Sequence, residues 1–594
     1  MKDETKKNQS SDVSKSQASS SSSSTSSSSS VKPSCNTAEE KKKPEWQQSS
    51  NDSRSQASSS SAEPCSSVDD RSKWKKKKEE QEQEQEVSSS CCELKDLKRL
   101  RDCYQNLGSL NVHPWHTILI HVQAFNQKFG IVPHEGQDVW SSDVVKMPCS
   151  RGGNPSSPQA SRWQEISKHL KALASKRSAS SDDVEKVIKK YNPNYKEQWK
   201  FDALKKFLKL EQKREKHFKE LFPKIAALAS KLPEHVMKPI PLLRRGHSAT
   251  ITMSQAQISC LLANAFFCTF PHRNTSKPGA EYGNYPSINF SSLFGQWTER
   301  KQEKLKAVLH YFDVVTDDKT APSGLVTFHR RCLKDAPDWK SSKATLGKLC
   351  VTSKGKIEDE GEGMLQVDFA SSRVGGGVLS SGLVQEEILF LINPELIVSR
   401  LFTEKLDDDE CLFIRGSQRF SRYSGFSDGF TWDGAYEDVR VQRDDWSRLQ
   451  REIVAIDALS YKHSRDQFNM NSITRELNKA FCGFKGRQGQ TEPAVATGKW
   501  GCGAFHADPQ LKALIQLMAA AQAHRDVAFF SYEDEHLERS LQKIHHLLVT
   551  KGTTLAELHS LLDKYCTDVN KHRGSHMDLF EFITKALRSS RSHL

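Results

Sequence analysis

Residues 367–396 read VDFASSRVGGGVLSSGLVQEEILFLINPEL, and this stretch decides the fold. Its apolar start around Asp368 has strand character, and the run after Gln385, Glu386 and Glu387 has the apolar density of a buried helix. Between them lies a loop of small residues containing Gly375, Gly376 and Gly377. A strand, a glycine turn and a helix opening on two carboxylates is a building unit of layered α/β domains. The three glycines let backbone approach a ligand closely and present consecutive N–H groups to phosphate oxygens. Glu386 and Glu387 have two readings. Acids are favoured in a first helical turn whatever the protein does, and two carboxyl groups can also divide general acid and general base work.

Outward from this unit, the chain after about residue 325 alternates short apolar runs with amphipathic ones. Strands are expected at 325–328, 365–369, 411–414, 452–456 and 527–530, with helices at 394–405 and 509–525. The expected fold class is therefore α/β, with helices on both faces of a mixed sheet. Ligands of such domains bind in the crevice at the strand ends, where the 373–382 loop belongs. A second glycine-rich loop, GKWGCGAF at 498–505, precedes a helix and suits the other side of a diphosphate. Neither loop carries a nucleotide-binding fingerprint of standard spacing.

Upstream, ELKDLKRLRDCYQNL at 93–107 has helical spacing of Leu94, Leu97 and Leu100, and HTILIHVQAF at 116–125 reads as a short strand. A folded unit is expected from about residue 110. Residues 162–232 are helix-rich, with Phe201, Leu204, Phe207 and Leu208 on one stripe. Between residues 151 and 230 stand 19 Lys+Arg against 9 Asp+Glu, an excess of ten. Either this is a solvated helical face or it attracts a polyanion. Ser254 is a candidate N-cap for a helix burying Ile258, Leu261, Leu262, Ala265 and Phe266, and a further helix is expected at 301–312.

Composition bounds the rest. The chain has 594 residues, more than one hydrophobic core usually serves. Residues 1–92 are serine-rich, carry 15 Lys+Arg and 15 Asp+Glu, and are expected to be disordered. The formal net charge of +13 therefore belongs to the remainder. The tail's basic clusters at 41–43 and 73–78 read equally as a nuclear import signal or as a solvating charge block. No signal peptide or membrane-spanning run is expected. The 14 cysteines have no paired metal-ligand spacing, so free thiols, a reducing compartment and no metal are expected.

The QEE triplet after GGG, with QVDFA before it and LINPEL behind it, resembles the signature of the poly(ADP-ribose) glycohydrolase family. The resemblance extends to RDDW at 443–446, EIVAIDAL at 452–459, RELNKA and CGF at 475–484, and the WGCGAF loop. It continues upstream through KMPCS, SRW, KPIPLL, TITMSQ and LLANAFFCTFP, covering roughly residues 110–590. It implies a macrodomain-like α/β/α catalytic domain with a mixed sheet at 323–590, a helical accessory region at 110–322 and the disordered tail at 1–92. The implied reaction is hydrolysis of ribose–ribose O-glycosidic bonds of poly(ADP-ribose), mainly from the chain end; the alternative is a reader that binds polymer ends without cutting.

By the same resemblance Glu387 is the general acid/base, Glu386 orients ribose hydroxyls, and Asp368 supports the site. Gly375, Gly376 and Gly377 wrap the diphosphate. Gln385, with the backbone around Ile357 and Glu358, belongs to the adenine-recognition set, Phe505 packs near the ribose, and Tyr532 stacks on adenine. Gly501, Cys502 and Gly503 belong to the second substrate loop. Three residues depart from the family pattern: Ser371 replaces an asparagine, Phe426 a tyrosine, and Lys499 an asparagine. Lys499 is left to contact phosphate or to face solvent. No cofactor is implied. The implied partners are poly(ADP-ribose) and poly(ADP-ribosyl)ated proteins, with no membrane, no stable DNA binding, a monomeric state, and residence in nucleus and cytoplasm.

Overall fold

The computed structural model describes residues 92–103, 106–150, 158–275, 277–487, 489–571 and 577–589. The serine-rich tail and its basic clusters at 41–43 and 73–78 lie outside the described residues.

The strands are β1 (His116–Ile118), β2 (Ala249–Ser254), β3 (Leu325–Cys332), β4 (Leu349–Thr352), β5 (Leu365–Ala370), β6 (Glu410–Arg415), β7 (Ser421–Ser424), β8 (Thr431–Ala435), β9 (Glu452–Asp457), β10 (Val495–Gly498) and β11 (Val527–Phe530). Nine of these form one sheet in the order β1-β2-β3-β6-β9-β5-β10-β11-β4, and β7 and β8 pair as a separate ribbon. From β9 to β4 all neighbours are parallel. β2, β3, β6 and β9 pair antiparallel with one another in turn. The sheet is therefore mixed, and its parallel half contains β5 at the heart of residues 367–396.

The central strands read as continuous apolar runs because both of their faces are covered. In β9, Ile453 and Ala455 enter one core while Val454 and Ile456 enter the other. In β6, Leu412 and Ile414 are divided in the same way from Cys411 and Phe413. One layer contains α1 (Gln255–Phe266), α2 (Glu299–Val315) and α3 (Gln385–Ile392); the other contains α4 (Met470–Phe484), α5 (Pro509–Gln522) and α6 (Glu535–Thr550). Ser254 caps α1 as expected, accepting the N–H of Gln257 while the Gln257 side chain accepts that of Ser254. Phe201, Leu204, Phe207 and Leu208 are buried in the same core as α1 and α2.

Several expectations change. Residues 93–107 do not form one helix but a 3-10 turn at Leu94–Asp96 and a short α-turn at Leu100–Cys103. The backbone between them is drawn to the domain, because Lys98 O accepts from Ala494 N–H (2.9 Å) and Leu100 N–H donates to Gly363 O (2.5 Å). Leu97 and Leu100 are buried accordingly, so the folded unit begins before residue 110. The helix expected over 394–405 is a 3-10 segment, Pro394–Val398, followed by one turn, Ser399–Phe402. Asn393, in a non-helical conformation, breaks the ladder of α3 before Pro394. β1 and β2 precede residue 323 yet belong to the sheet of the later strands. β2, β4 and β10 had no expectation. β4 and β10 span four residues each, and β2 runs directly into a capped helix, so neither length nor spacing marks them.

Candidate active site

The carboxyl ends of β4, β5, β10 and β11 point the same way, and each is followed by a loop carrying expected site residues. Ile357 and Glu358 follow β4; Ser371, Gly375, Gly376 and Gly377 and the start of α3 follow β5; Lys499, Gly501, Cys502, Gly503 and Phe505 follow β10; Tyr532 follows β11. The crevice rule for parallel sheets places a ligand there.

The start of α3 is tied to β5 by Gln385. Its Oε1 accepts Phe369 N–H (2.8 Å) and its Nε2 donates to Val367 O (3.1 Å). One face of this amide is therefore a structural link, leaving one donor hydrogen and one acceptor lone pair for a ligand. The next two side chains are buried. Glu386 accepts the N–H of Ser371 on Oε2 (2.8 Å) and of Gly375 on Oε1 (2.5 Å). Glu387 accepts the N–H of Gly377 on Oε1 (2.7 Å) and of its own helix's Val384 on Oε2 (2.8 Å). The loop is thus folded around the two acids.

This answers why the turn is glycine. Gly375 and Gly376 have φ of +85° and +43°, and a Cβ on Gly376 would lie 2.7 Å from Glu386 Oε2 and nearer still to Glu387 Oε1. It also corrects the expectation that the three N–H groups face phosphate. Those of Gly375 and Gly377 serve the glutamates, and that of Gly376 donates to Arg373 O (3.2 Å). The second loop differs. Among the described residues, the N–H groups of Gly501, Gly503, Ala504 and Phe505 donate to no protein acceptor, which leaves four donors on the crevice side of β10.

Asp368 is fully buried, and neither of its carboxyl oxygens has a hydrogen-bond partner. Burial, and then the nearby charge of Glu387, hold its pKa well above the usual carboxylate range. An unpartnered ionised carboxylate in that position would be very costly, so the neutral acid is the stable form. Burial first, then Asp368 and Glu387, likewise push Glu386 well up, against the opposing effect of its two N–H donors. Three carboxyl groups thus share one buried site, an arrangement typical of functional centres.

The outer wall is aromatic. Phe426 and Tyr532 are both about two-fifths exposed, 40% and 43%, with tilted rings whose centroids are 5.6 Å apart. Left-handed backbone recurs in the loops that carry these residues: Ser427, His506 and Tyr532 have φ of 54°, 58° and 50°. Such non-glycine conformations cost free energy and cluster at ligand sites. Glu358 accepts the hydroxyl hydrogen of Tyr423, and Gln366 Nε2 donates to Ile357 O (3.1 Å), fixing the β4 loop. Lys499 neither stands free in solvent nor reaches the carboxyl cluster; its ammonium pairs with Asp534 (3.5 Å), the N-cap of α6. In the same loop Trp500 is fully buried and donates to Ile456 O (3.0 Å), with the Lys512 ammonium 3.3 Å from its ring centre.

Two residues that sequence reasoning missed complete the site. Arg400 and Lys304 are buried cations placed against the carbonyl side of the glycine loop. Arg400 donates to Val374 O (2.9 Å) and Gly376 O (3.1 Å). The Lys304 ammonium meets Gly377 O (3.0 Å), Val378 O (3.1 Å), Ser380 O (3.0 Å) and Gly382 O. Lys304 stands in the lysine-rich TERKQEKLKAV segment, where nothing distinguishes it except its position on the apolar stripe. Among the described residues no cluster of three or more His, Cys, Asp or Glu side chains could hold a metal, and no helix is long and apolar enough to cross a membrane.

A three-layer α/β/α domain with a mixed sheet, helices joined to its amino-terminal side, and a buried carboxyl cluster at the carboxyl ends of its parallel strands defines a macrodomain-type protein. Residues 336–539 match the family profile described as poly(ADP-ribose) glycohydrolase, macro domain fold, and residues 210–330 match its helical domain. The chain is 30% identical over 468 residues to poly(ADP-ribose) glycohydrolase 1 of Arabidopsis thaliana, covering 64% of this chain and 83% of that one. It is 32% identical over 390 residues to poly(ADP-ribose) glycohydrolase 1 of Caenorhabditis elegans, covering 62% and 47%. A solved poly(ADP-ribose) glycohydrolase from Thermomonospora curvata, bound to the inhibitor ADP-HPD, aligns over 34% of this chain and 78% of that one, at 17% identity and a TM-score of 0.22. The chain belongs to the poly(ADP-ribose) glycohydrolase family.

Proposed function

We propose that this protein is a glycosidase that hydrolyses ribose–ribose O-glycosidic bonds of poly(ADP-ribose), mainly from the chain end, releasing ADP-ribose. The observation that carries the reading is the pair Glu386 and Glu387, each held by two backbone N–H groups beside the buried, unpartnered Asp368. A protein that only held polymer ends would have no use for three carboxyl groups in one buried site, each charge there being costly. Glu387 gives its proton to the leaving ribose oxygen as the C–O bond to the anomeric carbon breaks. The Gly377 and Val384 N–H groups stabilise the carboxylate that remains. That carboxylate then takes a proton from water as the water oxygen bonds the oxocarbenium carbon, which restores the acid. Glu386 orients the ribose hydroxyls and Asp368, neutral, keeps a second negative charge out of the site.

The terminal ADP-ribose lies along the crevice. In this reading the adenine lies between the Ile357–Glu358 loop and the Phe426 and Tyr532 rings, and the diphosphate lies against those N–H groups of residues 501–505 that donate to no described protein acceptor. The remaining polymer is a polyanion. Lys189, Lys205 and Lys219 are paired with acids, whereas Lys206, Lys209, Lys213 and Lys216 are exposed on the surface that such a chain would cross. A monomeric state and residence in nucleus and cytoplasm belong to the same reading.

Purified protein incubated with poly(ADP-ribose), with chain length and products followed together, tests it. Release of ADP-ribose from chain ends is expected in the parent and is lost, by about 100-fold or more, in Glu387→Ala, while ADP-ribose still binds. Polymer binding without any release by the parent would leave the reader in its place.

A further inference from the structure

The glycine loop is held from two sides with opposite polarity. Its N–H groups at Gly375 and Gly377 turn inward to the carboxylates, and its carbonyls at 374, 376, 377, 378, 380 and 382 turn outward to Arg400 and Lys304. A single peptide, that of Gly377, links the two sides, because its N–H donates to Glu387 and its C=O meets the Lys304 ammonium. Lys304 is fully buried and, among the described residues, makes no ion pair at contact distance; its whole polar head is directed at this loop. It comes from α2, in the helical region that precedes the macro-type sheet strands after residue 323. Gly382, the last carbonyl of the cage, has its Cα side against Glu387: a Cβ there would stand 2.5 Å from Glu387 Oε1.

We infer that Lys304 is a positioning residue for the hydrolysis, through which the helical region sets the place and the charge balance of Glu387. The inference rests on the proposed reaction. Four carbonyl oxygens around one nitrogen are satisfied by an ammonium with three donors and not by a neutral amine, whose lone pair would face oxygen. When Glu387 has given up its proton, the cation behind the Gly377 peptide offsets the new negative charge in a site of low dielectric. Removal of the cation therefore acts on the charged state, not on the resting shape alone.

The groups facing the ammonium are Glu387 of α3, Arg400 of the Ser399–Phe402 turn, and Arg300 and Lys301 of its own helix. Burial lowers the Lys304 pKa to about 7, Glu387 opposes this, and the three cations add to it. Activity that depends on the ammonium falls on the alkaline side of neutrality. In an arginine variant the cation persists through that range.

The test is a series at one position, Lys304→Met, Lys304→Gln and Lys304→Arg, measured on the full chain with poly(ADP-ribose) as substrate and ADP-ribose as the calorimetric ligand. Lys304→Met is expected to lose about 100-fold in kcat, with ADP-ribose affinity within about threefold of the parent. Lys304→Gln, which keeps a donor but no charge, is expected between Met and Arg. Parent kcat is expected to fall from pH 7 to pH 9, and this alkaline limb is expected to be missing in Lys304→Arg. Full kcat in Lys304→Met or Lys304→Gln overturns the inference, as does an identical alkaline limb in the parent and Lys304→Arg; the latter comparison stands even where the Met variant does not fold. Absence of release by the parent itself is a failure of the proposed reaction and is distinguished at the first measurement.

Discussion

The sharpest single perturbation is Gly376→Ala, one methyl group added where the two acids meet. Its Cβ would stand 2.7 Å from Glu386 Oε2 and nearer to Glu387 Oε1, inside contact distance of both. Neither acid can simply swing away, since each is held by two N–H bonds and buried. The φ of +43° at Gly376 adds a left-handed penalty of about 1–2 kcal/mol for an L side chain. The loop must therefore shift, and the bonds most exposed to that shift are those from Gly375 and Gly377. Losing both, at about 0.5–1.5 kcal/mol for each bond to an acid held neutral at rest, brings the total to roughly 2–5 kcal/mol if nothing relaxes. Relaxation at the exposed loop residues Arg373 and Ser381 reduces the stability loss to about 1–3 kcal/mol. The displacement of Glu387 then lowers kcat by about 100-fold or more, the effect expected of a misplacement near 1 Å. Steady-state release of ADP-ribose and thermal unfolding of the same preparations measure both. A variant with parental kcat and unchanged Tm would refute the claim that the turn is glycine because it wraps the two acids.

The other expectations follow from charge. Asp368→Asn removes an acid that must stay protonated: with its folded pKa raised above the unfolded value, the parent loses stability as pH rises from the unfolded carboxylate range toward the folded pKa. The variant is therefore expected to unfold at a higher temperature than the parent at pH 8 and with a smaller difference at pH 4, by calorimetry; equal shifts at both pH values would mean that Asp368 is ionised in the fold. Replacing Lys209, Lys213 and Lys216 by glutamine is expected to weaken binding of long poly(ADP-ribose), more at low than at high salt, and to leave binding of monomeric ADP-ribose unchanged in a filter-binding comparison. A salt-independent effect would remove the polyanion track. Phe426→Tyr adds a hydroxyl at the exposed aromatic wall and is expected to leave kcat equal or higher; a marked loss would refute the reading that Phe426 stands where the family has a tyrosine.

Much of the α/β half was legible because buried parallel strands have to be apolar throughout: CLFI, EIVAI and VAFF could hardly be anything else. β4 and β10 escaped because LCVT and VATG are short, and their pairing along the full four residues of β11 is a long-range fact with no local pattern. The acids were legible by type and position, yet the purpose of the glycines was not. Spacing alone allowed phosphate on the N–H groups of the triple glycine. Only the folded backbone shows that two of them face the carboxylates, leaving the 501–505 loop with free donors. Lys304 and Arg400 were invisible for a different reason. A lysine on a helix in a lysine-rich segment and an arginine beside LIVS have no local mark, and what defines them is the set of carbonyls turned toward them by residues 24 or more positions away.

That set of carbonyls also explains why a helical region is fused to a macro-type sheet. A loop of small residues around two carboxylates is unstable alone: its N–H groups can satisfy the acids only by turning its carbonyls the other way, into protein interior, where unpaired oxygens are costly. Water cannot serve them without wetting the site. Cations can, and across one peptide layer they also offset the negative charge that Glu387 carries once its proton has been given up. The sheet side of the chain supplies one such cation in Arg400, which reaches the 374 and 376 carbonyls but not those at 377–382. The remaining carbonyls face α2, and Lys304 meets them. In this arrangement the helical region is part of the catalytic apparatus, and its separation from the sheet domain would expose four carbonyls and leave Glu387 without its distal counter-charge.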